Sequence, residues 1–279
     1  MTVRSASERG AMRNAVAAAA RSLRRNWKIA AALIGILVAW EIFVRGVGVK
    51  PYILPAPSVV LTSLWQKLPT VLAAAGFTVQ PMLIGFAVAV VVGILLALVV
   101  AFSPTLQDIV YPLIVFLQIV PKIAVAPLFI IWFGYGLMPK ILLVFLLSFF
   151  PVVVSAVTAF RSVDSDIMDL ARATGAGAWR IFWKVQVPHA LPTLFTGIKV
   201  AAALSSTAAV VAEFVASDRG LGYLLLEYNG TLNTSMAFAV ITVLSAMGLV
   251  LYGIVEIVER LMIPWHVSRR SDETQLINP

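Results

Sequence analysis

The chain has no cysteine, which excludes disulfides, thiol nucleophiles and Cys-ligated zinc. Its two histidines, His189 and His266, are far apart and offer little to a metal site. Charge is also scarce. Only 12% of the 279 residues are Asp, Glu, Lys or Arg, against about 25% in a soluble domain. Hydrophobic residues make up 61% and mean hydropathy is +0.96. This balance excludes a soluble globular enzyme and describes a multi-span membrane protein whose spans share one bundle. No ten-residue alternating segments are present, so a barrel is excluded and the fold class is all-α.

A spanning helix needs about 20 mostly apolar residues. Six stretches qualify: 29–48, 81–102, 109–133, 138–160, 193–214 and 236–257. The second lies in the charge-free run 68–107 and is expected to open at Pro81. The third is interrupted by Pro121-Lys122 and Pro127. Six spans place both termini on one side. Basic residues cluster before the first span (Arg4, Arg9, Arg13, Arg21, Arg24, Arg25, Lys28), after the fourth (Arg161, Arg172, Arg180, Lys184), at Lys199, and in the tail (Arg260, Arg269, Arg270). The other side holds only Arg45, Lys50, Lys67, Lys140 and Arg219. The positive-inside rule makes the first set cytoplasmic, and it accounts for the net charge of +8 without nucleic acid. The chain divides into a cytoplasmic basic segment 1–28, a membrane domain 29–265 and a cytoplasmic tail 266–279. Residues 6–25 read as a surface helix or as disordered chain. Glu41 to Arg45 is no small-residue cleavage site, so no cleavable signal is expected.

Outside the membrane, Pro51, Pro55 and Pro57 make a turn-rich segment. Ser58 is expected to cap a short amphipathic helix bearing Val59, Val60, Leu64 and Trp65. The cytoplasmic segment 161–192 is too long for a simple connection. Asp164 or Ser165 can cap a helix through about Ala173, and Gly175 can take positive φ and end it. A second short helix over 177–186 carries Trp179, Phe182 and Trp183, and Pro188 and Pro192 are expected to stop it. The product is a helix–turn–helix knob below the bilayer. Its turn of small residues (Ala171, Ala173, Gly175, Ala176, Gly177) lets another protein's backbone approach closely.

In this loop, Asp169-Leu170-Ala171, three residues, Gly175, nine residues and Val185-Gln186-Val187-Pro188 resemble the EAA loop of ABC importer permeases. That family reads Glu-Ala-Ala, three residues, Gly, nine residues, Ile-x-Leu-Pro. Here Asp169 replaces Glu, Leu170 replaces Ala, Val185 replaces Ile and Val187 replaces Leu. The likeness extends over nearly all the chain after residue 29. Leu54-Pro55-Ala56-Pro57-Ser58, Pro121-Lys122-Ile123-Ala124, Ala126-Pro127-Leu128, Trp132-Phe133-Gly134, Ala212-Glu213-Phe214 and Gly220-Leu221-Gly222-Tyr223 are similar to nitrate/sulfonate/taurine-type permeases. The regions around Pro121-Lys122 and 136–140 look closest to a subgroup linked to pyrimidine thiamine precursors or riboflavin.

The resemblance implies a type I importer permease in the bacterial inner membrane. It implies a cytoplasmic ABC ATPase, an extracytoplasmic solute-binding protein and a second permease subunit, commonly a second copy. It also implies that Asp169, Leu170, Ala171, Ala173, Gly175, Ala176, Gly177 and Pro188 belong to the ATPase-coupling loop. This chain has no G-x-x-x-x-G-K-[ST], so ATP is expected on the partner, and no cofactor or metal is expected here.

Lys122 is the one basic residue well inside a span, with Gln118 four residues before it on the same face. Either the two line the translocation path, or Pro121 unwinds the helix and Lys122 snorkels to an interface. Glu213, near the external end of span five, reads as a gate, a contact for the binding protein, or a structural ion pair. Ser205 and Ser206 sit in a small-residue run, which suits close packing or solute-facing hydroxyls. Glu256 and Arg260 are spaced to pair. A gradient-driven transporter or channel would need mid-span carboxylates, and the long span cores are charge-free. An intramembrane enzyme lacks the His and carboxylate supply. The gradient-driven transporter or channel is the leading alternative, and a structural membrane scaffold, which a transport assay would separate, is the third.

Overall fold

A computed structural model describes residues 27–28 and 30–266. The readings of 6–25 and of the tail after His266 lie outside them. The described secondary structure is entirely helical. In chain order the helices are α1 (Ala30–Val47), α2 (Pro57–Gln66), α3 (Leu68–Ala101), α4 (Pro104–Ile119), α5 (Ala126–Phe133), α6 (Leu137–Arg161), α7 (Ser165–Ala173), α8 (Ala178–Ile181), α9 (Val187–Ala216), α10 (Leu221–Gly230) and α11 (Thr234–Met262). Five stretches are long and apolar enough to cross a membrane, and the bent α4–α5 pair makes a sixth.

Several boundaries differ from expectation. α3 does not open at Pro81 but encloses it, buried, within 34 residues. A mid-helix proline loses one main-chain bond, whereas ending the helix in hydrocarbon would expose several groups. Ser58 does not cap α2. Ala56 holds the N-cap position, and Glu41 of α1 reaches across to accept from Ser58 N (3.0 Å) and Ser58 Oγ (2.7 Å). Arg45 braces the same carboxylate at 2.5 Å. Pro188 and Pro192 do not stop the second loop helix either. α8 runs through a π-turn, Phe182–Gln186, straight into α9, with Val187 N bonded to the Phe182 carbonyl. The wider π-turn relieves the crowding that a proline ring imposes on an unbroken α-turn.

α6 is the central helix, packed most extensively on α9 and α3. Lipid supplies no hydrophobic drive between helices, so association rests on close approach at small residues. Ala156, Ala159, Ala201, Ala202, Ala208 and Ala209 are fully buried here. A Cβ on Gly197 would lie 2.3 Å from Ser155 Cβ and 2.8 Å from the Pro151 carbonyl. One on Gly85 would lie 2.6 Å from Val144 Cβ. A second cluster (Val71, Leu221, Leu224, Met236, Val240) joins α3, α10 and α11 at the external end.

Gly197→Ala is expected to cost about 1–3 kcal/mol through overpacking. Gly253→Ala, with nothing within 4 Å of the added Cβ, is expected to be neutral or stabilising. Thermal unfolding in detergent checks the pair, and equal melting temperatures would refute this account of the α6–α9 contact.

Candidate functional site

The cytoplasmic knob forms largely as its sequence specifies. Asp164 caps α7, its carboxylate accepting from Asp166 N at 2.8 Å. Gly175 ends the turn at φ +76°, with its N–H bonded to the Arg172 carbonyl at 2.9 Å. Thr174 Oγ1 donates to the Ala171 carbonyl at 2.7 Å. No residue of α7 is buried. Ala173, Gly175 and Gly177 are exposed, Ala171 and Ala176 half-buried, and nothing lies within 4 Å of a Cβ built on Gly175 or Gly177. Asp169 pairs with Arg172 at 3.1 Å on the surface. Leu170 is 70% exposed and Trp179 67%, so apolar side chains stand out from the knob.

The anchor under the knob is Phe182, buried against Phe102 beyond the end of α3 (ring centroids 4.6 Å apart) and Phe160 in α6 (5.8 Å). Half-buried Pro188 follows it in the first turn of α9. His189 Nε2 closes the base on the Ser162 carbonyl at 3.2 Å.

At the break between α4 and α5 the chain turns by 80°. Lys122 Nζ donates to the Gln118 carbonyl at 2.5 Å and lies 4.6 Å from the centre of the Phe150 ring. Gln118 O is the acceptor that Lys122 N would have used had the helix continued. The ammonium therefore replaces the lost main-chain donor at the negative end of α4. The structure thus joins Lys122 to Gln118 by the main chain and to Phe150 by its charge. It does not bring the serines to them. Buried Ser205 Oγ donates to the Ala202 carbonyl at 2.7 Å, and Ser206 Oγ to the Leu244 carbonyl at 3.2 Å. Ser206 borders an open groove of about 480 Å³ between α9 and α11, with Thr207, Ser245 and Gly248.

Glu213 is fully buried at the external end of α9. Gly222 N donates to its Oε2 at 2.6 Å. Gly220, at φ +107°, passes so close that a Cβ would lie 2.2 Å from Oε1. Thr78 Oγ1 of α3 accepts from Leu221 N at 2.8 Å, and Lys140 donates to Ser217 Oγ at 2.5 Å. The external turn is thus clamped to α9 and α3 through its main-chain N–H groups, and to α6 through the Lys140–Ser217 side-chain bond.

One pair was missed. Lys199 of α9 and Glu259 of α11 form a buried ion pair, with Lys199 Nζ 5.7 Å from the Tyr252 ring centre. Lys199 reads in sequence as a cytoplasmic cation. Its place six residues inside the fifth apolar stretch was the signal that it needed a partner. The expected Glu256–Arg260 pair forms at 2.5 Å.

Known proteins match this arrangement. Residues 89–264 match the family described as binding-protein-dependent transport system inner membrane component. The riboflavin transport system permease protein RibX of Chloroflexus aurantiacus is 35% identical, over 89% of this chain and 95% of that one. The formylaminopyrimidine transport permease protein ThiX of Halalkalibacterium halodurans is 32% identical over 82% and 92%. The taurine transport system permease protein TauC of Escherichia coli is 31% identical over 78% and 82%. In fold, the chain resembles an inward-facing MetNI methionine ABC transporter structure, with a TM-score of 0.56 and 19% identity, over 72% of this chain and 97% of that one. The chain therefore belongs to the binding-protein-dependent inner-membrane components, the multi-pass permease subunits of ABC importers.

Proposed function

We propose that this chain forms half of the solute pathway of an ABC importer and takes its energy from a cytoplasmic ATPase that docks on the 161–192 knob. One observation carries the reading. An exposed turn with apolar side chains, built on Gly175, continues without a break through α8 and the π-turn into α9, which ends at the Glu213 clamp. Asp169, Leu170, Ala171, Ala173, Gly175, Ala176 and Gly177 form the docking face, and Pro188 sits where the knob enters the membrane. ATP belongs to the partner, and this chain needs no cofactor. A second copy completes the pathway, and the external turn 217–222 faces an extracytoplasmic solute-binding protein.

The solute is a small polar or anionic molecule, of the sulfonate type or a pyrimidine or vitamin precursor. Relatives named for riboflavin, formylaminopyrimidine and taurine support that range. Lys122, Gln118 and Phe150 offer a cation, an amide and an aromatic face at the break between α4 and α5. These suit a solute with an acidic or delocalised ring system. Ser205 and Ser206 support the wall of the path, and Glu213 holds its external rim.

Three outcomes are expected. Gly175→Asp places a charged side chain at positive φ in the docking turn. The protein stays in the membrane, but the ATPase no longer co-purifies and uptake falls on the order of tenfold or more. Retained co-purification and normal uptake would overturn the coupling assignment. Lys122→Met raises the uptake KM by roughly tenfold while Lys122→Arg largely preserves it, because a hydrogen bond to a charged group is worth about 1.5–3 kcal/mol. Unchanged kinetics in Lys122→Met would leave Lys122 a helix cap only. Glu213→Leu strands the Gly222 N–H at a cost of about 1–3 kcal/mol, and Glu213→Gln retains an acceptor. Hydrogen exchange over 217–223 should quicken in the first variant only.

A further inference from the structure

A second cavity, of about 580 Å³, lies between α3, α9 and α11. Its walls run along α3 from Phe86 to Leu98, along α9 from Val187 to Ile198, and along α11 from Leu251 to Met262. Phe160 and Trp183 complete the cytoplasmic end. The surface is wholly apolar, so neither the polar solute nor water is a suitable occupant. At 1.5 Å per residue each wall is about 16–18 Å long, roughly half the ~30 Å hydrocarbon core. The cavity therefore has the depth of one leaflet.

Its cytoplasmic end carries a specific chemistry. The π-turn presents Trp183 at the mouth, and the same turn bears Lys184, with Arg180 one turn earlier, both exposed. The acidic groups of neighbouring α11 are already engaged, Glu256 by Arg260 and Glu259 by Lys199. Trp183 thus lines the cytoplasmic end of the cavity, and the exposed Arg180 and Lys184 stand on the helical segment that carries it, at the level of the headgroups.

We infer that this cavity is a binding site for an anionic phospholipid of the cytoplasmic leaflet. One acyl chain lies between α3, α9 and α11, and the phosphate sits against Arg180 and Lys184. Leaflet-length apolar walls that end at a tryptophan, with two exposed cations on the same helical segment, match a lipid in both parts. A solute site would need polar groups inside. The site touches α9 at the turn by which the knob enters the membrane, so lipid composition would bear on the knob's position.

The test uses the full chain in nanodiscs with photoactivatable phosphatidylglycerol or phosphatidylcholine, the reactive group near the acyl end. The wild type should be labelled on residues near Phe86, Ile198 and Leu251. Phosphatidylglycerol should be favoured by roughly thirtyfold, as two basic side chains near the headgroup predict. Arg180→Gln with Lys184→Gln should bring the two lipids to parity while labelling persists. Val90→Trp, filling the cavity, should abolish labelling by both. Equal wild-type labelling by the two lipids would overturn the inference, as would a preference unmoved in the double variant. The chain has no cysteine, so Ile34→Cys with Val91→Cys reports cleanly on another occupant. A disulfide between copies in native membranes would place a neighbour's first span in the cavity instead and refute the lipid site.

Discussion

The hydrocarbon core has no water to satisfy a main-chain N–H or carbonyl, and the scarce charged and hydroxyl groups of this chain are spent largely on that problem. Lys122 replaces the donor lost where α4 breaks. At the external ends of the helices, where the chain turns, Glu213 takes the Gly222 N–H and Glu41 the Ser58 N–H. Ser148, Ser205 and Ser206 donate to carbonyls of α9 or α11. Residues that in a soluble enzyme would suggest chemistry serve here to let the backbone turn or approach inside a membrane. Where they leave a cation beside an aromatic ring, as at Lys122 and Phe150, a binding role becomes available as well.

The number of spans, the all-helical class and the knob were legible from composition, long apolar runs and local capping signals. Asp164, Ala173 and Gly175 fall where capping rules put them, because those rules concern a few consecutive residues. Errors came where the rules depend on solvent. Proline ends helices in water, yet Pro81 and Pro192 lie inside helices here because breaking one in lipid is worse. Ser58 resembled a cap, but the carboxylate that caps α2 comes from 17 residues earlier. The Lys199–Glu259 pair spans 60 positions and was hidden for the same reason: sequence spacing speaks for i,i+4 partners and is silent on partners brought together by packing.

The small residues of α9 had two readings, packing or solute contact, and the structure separates them along the helix. Gly197, Ala201 and Ala202 are pressed into the α6 face or buried beside it, whereas Ala203, Ser206 and Thr207 border the open groove beside α11. One helix thus holds the bundle together on one side and presents a low, unfilled surface on the other.

The helix that begins in the knob and ends at Glu213 is one body of 38 apolar-rich residues from Ala178 to Val215. At 1.5 Å per residue it is about 57 Å long. Its two ends cannot settle independently. Whatever free energy a protein docked on the cytoplasmic knob gains by preferring one position of the rod, a protein seated on the external turn must feel as the same change in its own affinity, and the reverse holds equally. Under the proposed docking, traffic through the permease is therefore answerable from both faces. Loading outside and nucleotide state inside would be two terms in a single reciprocal linkage, carried by one uninterrupted helix.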